Sequence, residues 1–468
     1  MNTLSNLNGW FKELYADQEL NLVPEATYLV KNIKFNKSQQ GTGNVYHQPV
    51  WLTQEQGFTY AAAGLQGGAV ASNPGAFALA PAVPAQMQDA QITGTQLVLR
   101  SQIDYETLAR AANTKASFGE MSKVLVENMT QAVAKRLEIM FLYGRSPTGI
   151  GVISAGTVGS STVDATLTLT ADSWAPGLWA GMEGAAISLN VNTGTYPAWS
   201  TTRRQAAAAQ TNGAIVRSIN YATRVLSCSD TFGAAASAAI FVTPTAGDTI
   251  YLFGTIFNNP TGAQPIVYNE SLGLDGICQQ STGSLFNINL ALYSLFQSNS
   301  VTNIGTSLTV TSLLQNLLPA IGKGLMDDLT VLVSNEAYMG LVNPTIDPGA
   351  VTNQITPVLA TTKVGAVVNQ NRSDELRFGA KRVTIVGHTG EMEIVPHLFV
   401  KRNDIFCIPK KMGAPIRVGA TDVTFQTPGK GGEFFLHRPD QAGYEVRCYS
   451  NQALFSPAPG RLTKMRLS

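Results

Sequence analysis

Charge is what this sequence has least of. Lys, Arg, Asp and Glu supply 13% of its 468 residues, about half the share of an ordinary soluble domain, and residues 38 to 99 contain no Lys or Arg at all. A net charge of +1 excludes whole-chain steering toward nucleic acid or an anionic membrane. The cysteines Cys228, Cys278, Cys407 and Cys448 are scattered without CxxC spacing, which excludes a disulfide framework and predicts buried free thiols. No apolar run reaches the length of a membrane span, and the opening MNTLSNLNGWFKELYADQEL lacks the basic and apolar regions of a signal peptide.

Catalytic motifs are missing too. His47, His388, His397 and His437 form no HExxH and no ligand pair at helical spacing. There is no GxGxxG; Gly64, Gly67 and Gly68 lack a strand-to-helix setting, PGKGGE at 428 to 433 lacks the Walker spacing, and no GxSxG elbow occurs. Asp327-Asp328 reads as a solvated turn. No catalytic, cofactor-binding or metal-ligating residue is therefore assigned. The C-terminal 372 to 468 is the basic part, at +6, but Lys401, Arg402, Lys410, Lys411, Arg417 and Lys430 have no interleaved aromatics and read mostly as solvated strand ends.

What is present begins with a long helix, SFGEMSKVLVENMTQAVAKRLEIMFLYG (Ser117 to Gly144). Ser117 and Glu120 can form a capping box, and Gly144 followed by Pro147 predicts a left-handed stop. At about 100° per residue, Met121, Leu125, Met129, Ala132, Val133, Leu137 and Met140 share one arc. Glu120, Lys123, Glu127, Thr130, Gln131, Lys135 and Glu138 share the other, and Arg136 is the exception within the apolar arc. At ~39 Å the helix is long enough to be a strut.

The second stretch is the uncharged one. Asn44 to Thr53 and Thr93 to Ile103 read as strands flanking GFTYAAAGLQGGAVASNPGAFALAPAVPAQ, small, apolar and punctuated by Gly and Pro. This predicts an extended hairpin whose tip, including Tyr60, Leu65, Phe77 and Leu79, lies on a neighbouring subunit, because such a tip left bare would aggregate. A surface so poor in charge fits the same idea, since interface cores are depleted of charge. Residues 1 to 43 predict an arm that orders against other surfaces.

Short strands at 166–170, 185–190, 214–220, 223–229, 239–243 and 248–254 predict a small barrel or sandwich inserted at 161 to 255, with Trp174 and Trp179 in its core. Thr309 to Lys323 reads as a helix broken at Pro319, Leu329 to Ser334 as a buried strand, and Asn335 as the cap of a helix through Leu341. KRVTIVGHTGEMEIV (381 to 395) reads as a hairpin with Val383, Ile385, Met392 and Ile394 apolar, and Tyr444, Val446 and Cys448 alternate as in a half-buried strand. The fold class is α+β.

That order of parts, with the long helix closing on FLYGRSPTGIG (Phe141 to Gly151), resembles the major capsid proteins of tailed bacteriophages, the Hong Kong 97 fold. The resemblance covers nearly the whole chain. It implies an N-terminal arm (1 to 43), an extended loop (44 to 103) and a peripheral domain (104 to 160) with a spine helix at 117 to 143. A β-rich insertion (161 to 255), an axial domain (256 to 371) and a return to the peripheral domain (372 to 468) follow. The implied function is a non-enzymatic shell: hexamers and pentamers closing an icosahedron around double-stranded DNA in a virion, assembled in the host cytoplasm with a scaffolding protein and a portal and without a membrane. An encapsulin-like compartment is the alternative, and a β-rich adhesin or tail-associated module a more distant one. Some relatives weld their shells through a Lys of the extended loop; residues 38 to 99 contain none, which implies a shell without that link.

Overall fold

The computed structural model describes residues 27–36, 45–59, 79–106, 121–193, 200–206, 211–257, 264–265, 267–325, 327–342, 383–387, 390–426, 435–437 and 442–468, and residues 23, 196 and 209. The elements used below begin with α1 (Tyr28–Asn32), β1 (Val45–Trp51), β2 (Met87–Thr93), β3 (Thr95–Asp104) and α2 (Met121–Tyr143).

The long helix α2 runs 23 residues in the described part, about 34 Å; the predicted cap at Ser117 and Glu120 lies outside the described residues. Its C-terminal third differs from expectation. From Leu137 to Gly144 every residue is buried, so the helix ends inside the protein rather than along its surface. The left-handed turn is taken by Arg145 (φ 51°), not by Gly144. Gly144 is required for space: a Cβ there would stand 2.3 Å from the Ser271 carbonyl oxygen, closer than any side chain tolerates.

Hairpin pairing also differs. β1 pairs antiparallel with β2, Val45 opposite Thr93 and Trp51 opposite Met87, whereas the segment read as the return strand, now β3, pairs with a C-terminal strand, Asp104 opposite Gly443 and Thr95 opposite Gln452. The two are separated by Gly94, where a Cβ would meet the Asn451 side-chain oxygen at 1.9 Å. The true return strand, MQDAQIT, is mostly polar and carried no strand signal.

After α2 the chain builds a closed barrel from β4 (Gly151–Gly156), β5 (Ala165–Leu169), β6 (Ala186–Thr193), β8 (Ala214–Asn220), β9 (Val225–Ser229) and β10 (Thr249–Leu252), with β7 (Ser200–Arg203) paired outside the ring on β6. Because β10 pairs with both β4 and β6, the six-stranded ring has no free edge. Ile153, Leu167, Leu169, Ile187, Leu189, Val216, Leu226 and Ile250 fill it, all without exposure. The barrel starts at Gly151, ten residues before the predicted boundary. Residues 239 to 243 make only an isolated bridge, Gln205 to Phe241. Trp174 and Trp179 are buried in the core.

A second sheet has β11 (Asn299–Thr302), β12 (Leu329–Val333), β13 (Val383–Gly387), β14 (Gly390–Pro396), β15 (Asp404–Pro409) and β18 (Thr463–Arg466), in the order β11-β18-β15-β12-β14-β13. Helices α3 (Val310–Asn316), α4 (Leu318–Gly322) and α5 (Asn335–Val342) contribute Leu313, Leu317, Ala320, Tyr338 and Leu341 to a core distinct from that under α2. Thr309 and Ser312 form a capping box on α3, and Pro319 starts α4. The α5 cap is Ser334, whose Oγ accepts from the Ala337 amide at 3.2 Å, rather than Asn335. Ile385, Met392 and Ile394 are buried in the β13–β14 hairpin; the side chain of Val383 lies outside the described set.

The last segment divides. β13 to β15 and β18 serve this second sheet, whereas β16 (Ile416–Thr424) and β17 (Gly443–Phe455) join β3. Val446 and Cys448 are buried and Tyr444 half-buried. All four cysteines are free and buried.

Candidate intersubunit surface

The hairpin has two unlike faces. On one, Tyr46, Val50, Ala90 and Ile92 pack on the body, with Tyr46 edge-on to Phe455 at 5.3 Å and the Gln91 amide donating to the Phe286 carbonyl at 2.9 Å. On the other, His47, Pro49 and Trp51 face outward beside Asp89 and Met87. His47 and Asp89 meet at 2.6 Å, and that bond, with the one from Gln91, holds the Asp89 carboxyl below its usual range.

Beyond Trp51 the two strands stay linked by Leu52 N to Gln86 O at 2.9 Å and Gln56 N to Val83 O at 3.0 Å, but residues 53 to 58 and 79 to 84 are exposed on both sides. Trp51 is 68% exposed, Phe58 67% and Leu79 78%. Of the residues expected in the contact, Leu79 is thus bare, and Tyr60, Leu65 and Phe77 lie outside the described residues. Trp51, Phe58, Val83 and Met87 were not singled out from the sequence, although outward alternation in β1 marks Trp51 once its register is known.

The C-terminal end of α2 is the best-tied part of the body. Met129, Val133, Leu137 and Met140 are buried and Leu125 packs partly buried against the same core; Met121's side chain is outside the described set. Ala132, on the apolar arc, is exposed. Glu138, on the polar arc, is fully buried. Its Oε1 accepts from the Leu29 amide at 2.8 Å and Oε2 from the Val30 amide at 2.9 Å, at the first turn of α1. His397 Nε2 lies 2.9 Å from Oε1, while Nδ1 accepts from the Phe399 amide at 3.1 Å, which puts the imidazole proton on Nε2 facing the carboxylate. Lys135, also from the polar arc, turns inward to donate to the Ala180 carbonyl, and burial pulls its pKa down to about 8.

A second buried network joins the helix end to the C-terminal strands. Lys464 bridges Asp275 and, at 3.4 Å, Asp404. Burial alone would raise Asp275, but the Lys464 and Lys401 charges outweigh it and hold the carboxyl down. Tyr143 donates to Asp404 at 3.3 Å and accepts from the Lys401 amide at 2.8 Å. Lys401 donates to Thr148 Oγ1 at 2.9 Å and the Gly149 carbonyl at 2.8 Å, and burial draws its pKa to about 8.

Lys401 is therefore an internal tie and not a solvated strand end. Arg417 is buried as well, donating to the Ile33 carbonyl at 2.8 Å and pairing with Asp422 at 3.2 Å. Arg402, Lys410 and Lys411 pair with Glu336, Glu393 and Asp328, and Lys430 lies outside the described residues. Asp327 is no solvated turn: its carboxylate accepts from the Lys411 and Met412 amides. Among the described residues no group of three His, Cys, Asp or Glu is placed to hold a metal, and no helix is long and apolar enough to cross a membrane.

No protein-family model matches the chain, and no curated protein is similar to it in sequence. Solved structures are similar to it over its full length. The capsid asymmetric unit of cyanophage A-1(L) aligns with 99% of this chain and 99% of its own at a TM-score of 0.50 and 10% identity. The fold is that of a Hong Kong 97-type phage capsid subunit. The capsid of a native GTA particle (TM-score 0.47, 6% identity, 100% and 99% covered) and Mycobacterium phage Bobi (0.45, 9%, 100% and 98%) are further similar structures.

Proposed function

We propose that the chain is a major capsid protein that assembles as hexamers and pentamers into an icosahedral shell around double-stranded DNA. The observation that carries this is the hairpin, which is anchored on one face while its other face presents Trp51, and residues 53 to 58 and 79 to 84 present Phe58 and Leu79, to solvent. A bare apolar arm is an aggregation hazard in a monomer; laid on an adjoining copy it becomes a heterologous contact that repeats until a ring closes. Each contact can be weak because many act together.

In this reading residues 45 to 93 are the extended loop and α2 is the spine of the peripheral domain with β3, β16 and β17. The second sheet with α3 to α5 is the axial domain, and the barrel is an insertion. A scaffolding protein and a portal are the expected partners, and the DNA is held through non-specific contacts.

Negative-stain microscopy of the purified chain tests the proposal: closed shells support it, and monodisperse monomers at high concentration refute it. Nuclease-protected DNA in particles made during infection separates a genome container from an enzyme compartment. Because residues 38 to 99 contain no Lys, subunits from mature particles should run as single, unlinked chains on denaturing gels. A ladder of linked rings would contradict this.

A further inference from the structure

Three ionisable side chains meet where the two cores adjoin. Asp275 is in the short helix Leu274–Gln279, which packs against α2, Asp404 opens β15, and Lys464 is in β18. Their neighbours Leu274, Cys278 and Phe406 belong to the core under α2, and Cys407 and Met465 to the other. Lys464 Nζ bonds to Asp275 Oδ1 and stands 3.4 Å from Asp404 Oδ1, and all three side chains are at most 4% exposed. Asp275 is held from its other sides: Gln279 Nε2 donates to Oδ1 at 2.8 Å and to Oδ2 at 2.7 Å, and Ser146 Oγ donates to Oδ2. An amine, a carboxyl carbon and a second carboxylate are thus fixed together, shielded from water.

Burial works against the Lys464 ammonium, but the Asp275 and Asp404 charges outweigh it and raise its pKa, so the pair stands ionised. A buried ion pair is costly to desolvate. Condensing it to an amide removes one charge of each sign and leaves Asp404 facing the Lys401 charge, so the site stays balanced. Reacting groups held in place behave as if at concentrations far beyond those of free solution. Asp404 also borders a polar cavity of about 250 Å³ with Thr148, Ser173 and Arg466, room for the water that condensation releases.

We propose that Lys464 and Asp275 condense into an isopeptide bond within the subunit, with Asp404 as the proton carrier. One proton passes through Asp404 from the ammonium to Asp275, leaving a neutral amine against a carboxylic acid. The Nζ lone pair then forms a bond to Cγ, and the carbonyl electron pair moves onto its oxygen, which the Gln279 and Ser146 donors stabilise. A second proton passes through Asp404 from the nitrogen to the departing hydroxyl, the C–O bond breaks, and water leaves behind a neutral amide. No oxidant, metal or partner chain is needed, so the inference stands apart from the shell reading. The bond closes a loop between residues 189 positions apart, which takes conformational freedom from the unfolded chain, and it joins the two cores covalently.

Mass spectrometry of the denatured full chain tests it. The wild-type chain should be lighter than its sequence by one water, and a tryptic digest should yield a branched peptide joining Asp275 to Lys464, with no cleavage after Lys464. Asp275→Asn should lose one ammonia instead, because the same attack then expels the amide nitrogen. Lys464→Arg, which keeps the charge but not the amine, should have its full sequence mass. Asp404→Asn should also keep its full mass while its circular dichroism stays that of the wild type. A folded wild-type chain at full sequence mass, or a water loss mapped to other residues, overturns the bond, whether or not any variant folds. A bond that still forms in folded Asp404→Asn overturns the role of Asp404.

Discussion

Glu138 shows how a single residue sets the position of a segment far away in sequence. Its carboxylate takes two amides of α1 and the imidazole of His397, so Glu138→Gln would turn an NH₂ toward a donor. Hydrogen bonds to charged groups are worth about 1.5–3 kcal/mol. The variant should therefore melt earlier, with faster amide exchange at Leu29 and Val30; unchanged exchange there would show that α1 is held by Leu29 and Ile33 packing alone. Met129→Lys replaces a buried side chain worth about 1.5–3 kcal/mol by a charge without a partner and should leave no soluble subunit, an outcome read by expression and sedimentation. Glu270 gives a pH signature. Its folded pKa of about 7 lies above the ordinary 4.5, so the folded state binds the extra proton between those values and stability falls as pH rises through that window, by on the order of 3 kcal/mol. Glu270→Gln should flatten the dependence, as thermal unfolding at a series of pH values would report.

At the scale of elements, the parts that the sequence revealed are those whose pattern is local. Met129, Val133, Leu137 and Met140 recur at helical spacing and are buried together, and Thr309 to Lys323 breaks at its proline. The failures are non-local. Glu138 sits on the polar arc by period, and its partners stand 109 and 259 residues away. β2 is polar because one face meets water and the other holds Gln88 and Ala90 close to the body; β4, GVISAG, is hidden by its small residues. Lys401 and Arg417 look like surface charge until the network around Tyr143 and Asp275 closes over them. The hairpin yields the prediction at this scale. The double variant Trp51→Asp, Leu79→Asp changes only exposed positions, so its subunit should keep the wild-type melting temperature and lose assembly, measured by light scattering. Normal particles would mean that the arm's apolar face is not a contact.

For the whole molecule, the proposed shell gives the scarcity of charge and the bare hairpin a common explanation: a surface that neighbouring copies would complete. The hairpin's own base is the contact of Tyr46 with Phe455 and of the Gln91 amide with the Phe286 carbonyl, and in the proposed shell a fixed base lets each weak contact find the same place on the next copy. The most direct test is a cryo-electron microscopy reconstruction of the assembled protein. The account predicts density for residues 52 to 59 and 79 to 86 lying across the adjacent subunit. Density that folds the same residues back onto their own subunit, with the space between copies filled by other elements, would contradict it.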